Sequence, residues 1–265
     1  MSEFISCKYN LGGQCTITSS WQGKNMLLPH SKFYYLYDGE LFLEIAGQYI
    51  VAKKGDLVLI PANILHSCGL TELRYMKKAW CHFEMKCGQE EFFLRYQIPF
   101  CLHIDDREYM DQLFEDLFRA QTLSPCEQDL RSAEALCRIV SYYFEHSTVI
   151  TKTSASDQID DCIQYINDNY AEISNINVLA KRANYSLNHF IKKFKEKTGY
   201  TPTKYINSVK INAARSLLQH HNDSISEIMQ KTGFLDSAYF TKLFKKHIGY
   251  SPKKFRQMCW AQNPS

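Results

Sequence analysis

Two sixteen-residue stretches decide how the second half of the chain folds: residues 190–205 read FIKKFKEKTGYTPTKY, and residues 240–255 read FTKLFKKHIGYSPKKF. Ten of the sixteen aligned positions are identical or similar, and the upstream segment 179–185 aligns with 228–234 in the same way. A repeat at an interval of fifty residues indicates that one supersecondary unit is present twice. Each copy is predicted to be a helix-turn-helix.

The turn inside each copy has residues that suit it. In the first copy a short helix ends at Asn184, whose side chain tolerates positive φ, and Tyr185 fills the angle between the helices. Ser186 then offers an oxygen that can cap the next helix. The corresponding residues of the second copy are Gly233, Phe234 and Asp236. A glycine ends the second helix of each copy and a Thr-Pro or Ser-Pro pair begins the following one: Gly199, Thr201-Pro202, Gly249 and Ser251-Pro252.

The second helix of each copy is predicted to be a recognition helix that enters the major groove of DNA. One face carries a phenylalanine pair at i, i+4, which is predicted to point inward. The opposite face is basic and polar. The predicted DNA-binding residues on it are Asn188, His189, Lys192, Lys195, Ser237, Thr241, Lys242 and Lys245. The alternative is that the lysines only keep two amphipathic helices soluble. It is less consistent with two copies that both have the expected cap, glycine stop and following proline.

The connection between the copies predicts how far apart they lie. A helix is expected from Pro202 to about Gln219, which is roughly 27 Å long at about 1.5 Å per residue. This length can place the two recognition helices about one DNA turn, or roughly 34 Å, apart. One chain is therefore predicted to contact two adjacent major-groove segments of double-stranded DNA.

At these residues the chain resembles the AraC/XylS family of bacterial transcription regulators. The resemblance covers about Asn175 to Met258, and the second copy has the family signature G-F-x5-F-x3-F-K-K-x2-G-Y-S-P from Gly233 to Pro252. The sequence departs from the usual pattern at Asn184, Met229, Lys192 and Lys242, where Gly, Ala, Arg and Arg are frequent. Because a lysine contacts bases less specifically than a bidentate arginine, the bases that are read stay open.

The resemblance implies a fold and a function. It implies an α+β protein of two domains, with an all-α DNA-binding domain and an N-terminal cupin-like domain that binds an effector. The effector class that it implies is a sugar or a related metabolite. It also implies an activator that contacts RNA polymerase and works as a homodimer.

The N-terminal half has the short aromatic and β-branched runs of antiparallel strands in a small barrel or sandwich. A hairpin is predicted at Asp38-Gly39, a second at Ala46-Gly47, and Lys54-Gly55 turns the chain into residues 57–60. The polar run of residues 147–156 is predicted to be a linker. It divides the chain into a sheet domain of residues 1–146 and a helical domain of residues 157–265.

Two amphipathic helices, residues 108–119 and 131–146, are predicted between the strands and the linker. Their apolar stripes exceed what one small barrel would cover, which favours dimerisation through them. The alternative is that both helices pack on their own barrel.

A candidate effector site lies in the strand region. Residues 55–66 resemble the second motif of cupin barrels, with Asn63 where Gly is usual. His30-Ser31-Lys32 stands where a metal-binding cupin needs His-x-His and a carboxylate, so no metal is expected. The predicted effector-binding residues are His30, Tyr35, His66, Trp80 and His82. Each histidine is alternatively a structural residue.

Composition and charge limit the other classes of function. Residues 1–156 contain 15 Lys and Arg against 19 Asp and Glu, whereas residues 157–265 contain 16 against 9, so only the second half is expected to meet a polyanion. The ten cysteines have no zinc-finger spacing, and no apolar run has membrane-spanning length, which indicates a cytoplasmic protein with reduced thiols and no cofactor. A cupin-type enzyme would need a metal cluster or a nucleophile and base, and none is visible in the sequence. An adaptor that answers to a protein partner is the other alternative.

Overall fold

The computed structural model describes residues 4–18, 21–88, 90–151 and 158–261. Strands dominate the first half of this range and helices the second, so the predicted α+β class is confirmed. The strands are β1 (Ile5–Ile17), β2 (Gln22–Met26), β3 (Ser31–Ile45), β4 (Gln48–Lys53), β5 (Asp56–Ile60), β6 (His66–Leu70), β7 (Met76–Cys87), β8 (Glu90–Glu91), β9 (Tyr96–Gln97), β10 (Cys101–His103) and β11 (Ile150–Thr151). The helices are α1 (Arg107–Ala120), α2 (Pro125–Glu145), α3 (Gln158–Asn169), α4 (Asn177–Arg182), α5 (Leu187–Thr198), α6 (Pro202–His220), α7 (Ile225–Lys231), α8 (Ser237–Ile248) and α9 (Pro252–Ala261), with a short 3-10 turn at Phe92–Arg95.

Strand β3 joins two antiparallel sheets. Its first part lies between β5 and β7 in a sheet of order β1-β7-β3-β5-β10, and its second part, from Glu40, lies between β4 and β6, with β2 beyond β6. The hairpin predicted at Asp38-Gly39 is therefore wrong, because the strand continues through these residues. The register with β7 shifts between Leu36 and Asp38, which places a bulge at Tyr37, and Gly39 has φ +80°, so the strand bends here from one sheet into the other.

The remaining turns agree with the sequence. β3 and β4 form a hairpin at Ala46-Gly47, where Ile45 pairs with Gln48, and Lys54-Gly55 leads into β5. Alternate residues of β3 face opposite sides of the first sheet. One side packs between the two sheets and the other packs against α1 and α2.

Helix α2 begins six residues earlier than predicted. Ser124 and Pro125 are the N-cap and first residue of α2, a usual place for proline, so the Ser-Pro pair opens the helix. The apolar stripes of α1 and α2 are buried against the first sheet, which includes Leu113 and Phe114 of α1 and Ile139 of α2. The packing of both helices on their own sheet domain, which was the alternative prediction, is therefore observed, and dimerisation stays a prediction.

The predicted linker, residues 147–156, begins as part of the sheet domain. Residues 150–151 form β11, which pairs with β9. Val149 packs against the apolar cluster that α1 and α2 share with the first sheet. The rest of the predicted linker, residues 152–156, lies outside the described residues.

The helical domain has two apolar cores that share one helix. The first surrounds Phe190 and Phe194, the second surrounds Phe240 and Phe244, and α6 contributes to both. Helix α6 has nineteen residues and runs the length predicted for the connection between the copies. Among the described helices none is long and apolar enough to cross a bilayer.

The two domains pack against each other. Leu27 and Leu65 of the sheet domain belong to the same buried cluster as the first helical core. The hairpin turn at Gly47 touches Gly199, at the end of α5, and a Cβ on Gly199 would lie 2.8 Å from the Cα of Gly47. Strand β2 contacts α6 and α8.

Candidate nucleic-acid interface and ligand site

Helix α5 is positioned as the sequence predicts for a recognition helix. Its cap residue Ser186 accepts a hydrogen bond from the His189 amide at 3.4 Å, and Gly199 ends it in the left-handed conformation. The preceding turn has the positive φ expected at Asn184. Phe190 and Phe194 are fully buried, which fixes the face that α5 turns outward.

The outward face of α5 carries all four residues that were predicted on it. Asn188, His189, Lys192 and Lys195 are exposed. The imidazole of His189 stacks on Tyr185 with 4.6 Å between ring centroids, so its position is restricted. Lys192 has only a 3.9 Å ion pair with Glu196, which is exposed and therefore weak.

Helix α8 repeats this arrangement. Asp236 accepts a hydrogen bond from the Tyr239 amide at 2.7 Å, Gly249 ends the helix, and Phe240 and Phe244 are buried. The predicted residues of this copy, Ser237, Thr241, Lys242 and Lys245, are all exposed. Two further exposed lysines adjoin the predicted faces, Lys193 on α5 and Lys246 on α8. Lys246 could have been found from the sequence, because it follows Lys242 by four residues and so lies on the same side of the helix.

Four of the five predicted effector residues come together in the sheet domain. The rings of His30 and His82 stack at 4.6 Å, and Trp80 lies 5.0 Å from His82. His66 reaches the same group through Lys32, whose Nζ is 3.5 Å from its Nε2. The second nitrogen of His66, Nδ1, lies 2.9 Å from the carbonyl of Ile64, which can only accept. Nδ1 therefore carries the proton, and Nε2 faces the lysine as an acceptor.

Tyr35 is not part of this group. It lies on the opposite face of the first sheet and stacks on Phe114 of α1 at 5.8 Å. Tyr34, one position earlier, faces the interior instead and pairs with Trp80 across the strands. The period of two along a strand separates neighbouring residues in this way.

Two buried lysines are the main feature that sequence reasoning missed as part of the site. Lys32 and Lys78 are each 3% exposed, and burial lowers the pKa of each to about 8. The ammonium of Lys78 lies 3.5 Å from the ring centroid of Tyr34 and 4.3 Å from that of Trp21, so aromatic faces surround it. Positions 78, 80 and 82 share one face of β7, and this alternation was the signal in the sequence.

The charges that act on these lysines are of both signs: the buried Cys68 thiol acts to raise the pKa of both lysines, whereas Lys78 and Arg215 act to lower that of Lys32. Within the described part of the chain, no ion pair includes Lys32 or Lys78. Arg215 of α6 acts on the same group, because its charge is among the causes that lower the pKa of Lys32 and of His30. Burial and then the charge of Lys32 lower the pKa of His66 and of His82 to about 3, so both imidazoles are neutral at physiological pH.

A buried ammonium without a counter-charge is costly, and an anion would offset that cost. The buried Nε2 of His30 also has no hydrogen-bond partner in the described structure. The group defined by Lys32, Lys78, His30, His66 and His82 is called the cationic cluster below. Among the described residues there is no group of three His, Cys, Asp or Glu side chains that could hold a metal ion.

Two cavities lie between the domains. One, of about 420 Å³, is lined by residues 21–26 of the sheet domain and by helical residues that include Asn212, Arg215 and His247. Arg215 therefore borders this cavity and acts on the cationic cluster as well. The second cavity, also about 420 Å³, lies between Asn25, the start of α6 and the side of α8 that bears Lys242 and Lys246.

The fold and the two exposed lysine-bearing helices define the class: a two-domain protein with a sheet-rich domain and a tandem helix-turn-helix domain. Residues 179–258 match the family described as "Helix-turn-helix domain". The chain is 35% identical over 100 residues to the HTH-type transcriptional activator RhaS of Escherichia fergusonii and 31% identical over 104 residues to RhaS of Escherichia coli O1:K1. These matches confirm the resemblance: the helical domain is a tandem helix-turn-helix domain of the AraC/XylS type.

The matches differ in how much of each protein they cover. The two RhaS alignments span 38% and 39% of this chain, and about a third of the length of RhaS, 36% and 37%. A structure of ToxT from Vibrio cholerae with an unsaturated fatty acid bound covers 96% of this chain and 95% of ToxT, with a TM-score of 0.57 and 15% identity. The ToxT match extends the shared fold to both domains.

Proposed function

We propose that the chain is a transcription regulator that binds double-stranded DNA through α5 and α8 and responds to a small molecule held by the sheet domain. The observation that carries the DNA part is the repeated geometry: two helices with the same caps, the same buried phenylalanine pair and the same exposed basic face. Each helix can enter one of two adjacent major-groove segments. Activation, contact with RNA polymerase, a homodimeric state and a cytoplasmic location are further parts of this proposal, and catalysis is not.

Selection from a random double-stranded DNA library tests the DNA part. The full chain is expected to enrich a two-part sequence whose halves are about one helical turn apart. A Lys192→Ala/Lys242→Ala variant should bind that sequence more weakly and with a smaller salt dependence, because two phosphate or base contacts are lost. The matched control is Lys53→Ala/Lys54→Ala, which removes two exposed lysines from the sheet domain. Absence of any enriched sequence would refute DNA reading by this chain.

For the effector, the cationic cluster favours a molecule with a carboxylate or another anionic group. The resemblance implies a sugar or a related metabolite, and a sugar acid satisfies both arguments. Lys32 and Lys78 would hold the anionic group, and neutral His30, His66 and His82 would hydrogen-bond the polar part of the molecule. A ligand here can influence the helical domain because the charge of Arg215, on α6, acts on Lys32 of the same cluster.

Native mass spectrometry of the purified chain, followed by thermal-shift measurements, tests the effector. The panel contains neutral sugars, the matching sugar acids and unsaturated fatty acids, since ToxT shares the fold and has been solved with such an acid. We expect stabilisation by anionic ligands only, lost in Lys32→Met and kept in the exposed-lysine control Lys53→Met. Stabilisation by a neutral sugar alone would refute an anionic effector. A chain that binds no panel member and retains a protein instead would favour the adaptor alternative.

A further inference from the structure

Lys210 lies between the two helix-turn-helix units and is part of neither recognition helix. It lies on the shared helix α6 and is 6% exposed. Its ammonium donates one hydrogen bond of 2.9 Å to the carbonyl oxygen of Gly233 and another of 3.2 Å to the carbonyl oxygen of Ile173. Burial lowers its pKa below the usual value of lysine.

The two carbonyls belong to different units. Gly233 is in the turn between α7 and α8, inside the second unit, whereas Ile173 lies between α3 and α4 and packs in the core of the first. The ring of Phe234, which belongs to the core of the second unit, is 5.8 Å from the same ammonium. One side chain thus holds backbone from both units through charge-assisted hydrogen bonds.

The backbone of the two units is also in direct contact at this point. A Cβ on Gly233 would collide with the carbonyl group of Ala171, and its distance to the Cα of Ala171 would be 2.8 Å. The turn that aims α8 therefore rests against the segment that leads into α4. The hydrogen bond to Ile173 is buried and the one to Gly233 is partly buried, so losing the ammonium would leave the Ile173 carbonyl without its partner in the interior.

We infer that Lys210 fixes the orientation of the second unit relative to the first and thereby limits the chain to DNA sites with one spacing between the two halves. The inference rests on the proposed function, since spacing has meaning only if both units bind DNA. Lys210 is a positioning residue: it is buried, and it acts through the joint between the units. The name "joint" is used below for Lys210, residues 171–173 and Gly233.

The test compares the wild-type chain with Lys210 variants for the number of base pairs that each prefers between the two DNA half-sites. Lys210→Met keeps the length of the side chain and removes both hydrogen bonds. We expect it to select the same two half-site sequences as the wild type, with spacings that spread over at least one base pair on either side, and to bind the preferred site about tenfold more weakly. Lys210→Arg, which can still donate to two carbonyls, should restore a single spacing. The control Lys231→Met removes an exposed lysine and should change no spacing.

A second variant approaches the joint from the other side. Gly233→Ala leaves the ammonium in place and forces the turn away from Ala171, so it should broaden the spacing in the same manner. An unchanged single spacing in Lys210→Met would overturn the inference. Loss of binding to the isolated half-sites would also overturn it, because Lys210 would then support each unit rather than the joint between them.

Hydrogen exchange gives a readout that needs no DNA. In Lys210→Met, amides of residues 171–176 and 232–236 should exchange faster together, while amides inside α5 and α8 keep their protection. Independent behaviour of the two segments would contradict a joint. If the wild-type chain selected no DNA sequence, the proposed function would fail, and the exchange experiment would still decide whether Lys210 couples the units.

Discussion

The hydroxyl of Tyr205, in the helical domain, donates a hydrogen bond of 2.8 Å to the backbone carbonyl of Asn63, in the sheet domain. These residues are 142 positions apart. Tyr205 is otherwise buried among the aromatic rings of the first helix-turn-helix unit, where its ring meets Phe194 edge-on at 5.4 Å. The core behind recognition helix α5 is therefore continuous with the contact between the domains, and a change in the sheet domain has a direct route to α5.

Gly199→Ala should separate the domains, and Gly249→Ala should not. Both glycines end a recognition helix in the left-handed conformation, so alanine costs about 1–2 kcal/mol at either position. Only Gly199 touches the sheet domain, at Gly47, whereas a Cβ on Gly249 would meet nothing within 4 Å. We expect an increased radius of gyration in small-angle scattering for Gly199→Ala alone. Equal radii for the two variants would contradict a tight contact at Gly47.

Lys242→Ala should weaken DNA binding and reduce its dependence on salt. The lysine is exposed on the outward face of α8, and each phosphate contact that is lost lowers the slope of log K against log salt by about 0.9. Fluorescence anisotropy over a salt series measures both quantities, with Lys53→Ala as the control. If affinity did not change at any salt concentration, the orientation of α8 on DNA would be different from the one proposed.

Phe244→Ala should unfold the second unit. The ring is fully buried between Phe240 and Phe255, and truncation of such a side chain costs about 3–5 kcal/mol. Chemical denaturation followed by circular dichroism measures the loss, and DNA binding by α8 should disappear with it. Tyr250→Ala, which removes an exposed aromatic near the end of the same helix, should change stability by less than about 0.5 kcal/mol.

Lys32→Met should stabilise the protein at pH 7 while abolishing the response to an anionic effector. Burial lowers the pKa of Lys32 from 10.5 to about 8, which corresponds to a cost on the order of 3 kcal/mol for the charged form at pH 7. The unfolded chain holds this proton up to about pH 10.5 and the folded chain only to about pH 8, so folded stability rises with pH between these values.

Urea denaturation at several pH values checks this prediction. The wild-type chain should gain stability from pH 8 to 10.5, and Lys32→Met should lack the part that Lys32 contributes. The control Lys53→Met should follow the wild type. A Lys32→Met chain that is less stable than the wild type at pH 7 would show that Lys32 has a counter-charge in the folded protein.

The helical domain could be predicted well because its signals are local. Caps, glycine stops and the spacing of phenylalanines act within one or two turns, and every residue predicted on the outward faces of α5 and α8 is exposed. The sheet domain was harder. Asp38-Gly39 has the composition of a hairpin turn, yet both residues stay in β3 just after a bulge at Tyr37, because β7 pairs with β3 across this point.

The effector residues show the same limit. Tyr35 and Tyr34 are equivalent in composition, and only the register of β3 decides which of them faces the interior. From the sequence, the apolar stripes of α1 and α2 were larger than the surface that one small barrel was expected to cover. The extent of the first sheet, which covers them, depends on strand pairing that the sequence does not show.

By itself the amino-acid sequence determined the repeated unit, the ends of its helices and the side chains that they turn outward, since these depend on neighbours within a few residues. Only the tertiary structure decided that Lys78 and Arg215 act on Lys32, that Lys210 bonds to backbone of both units, and that Gly47 meets Gly199. Each of these relationships brings together residues far apart in the chain, and packing sets them through burial and close approach, for which no local pattern exists.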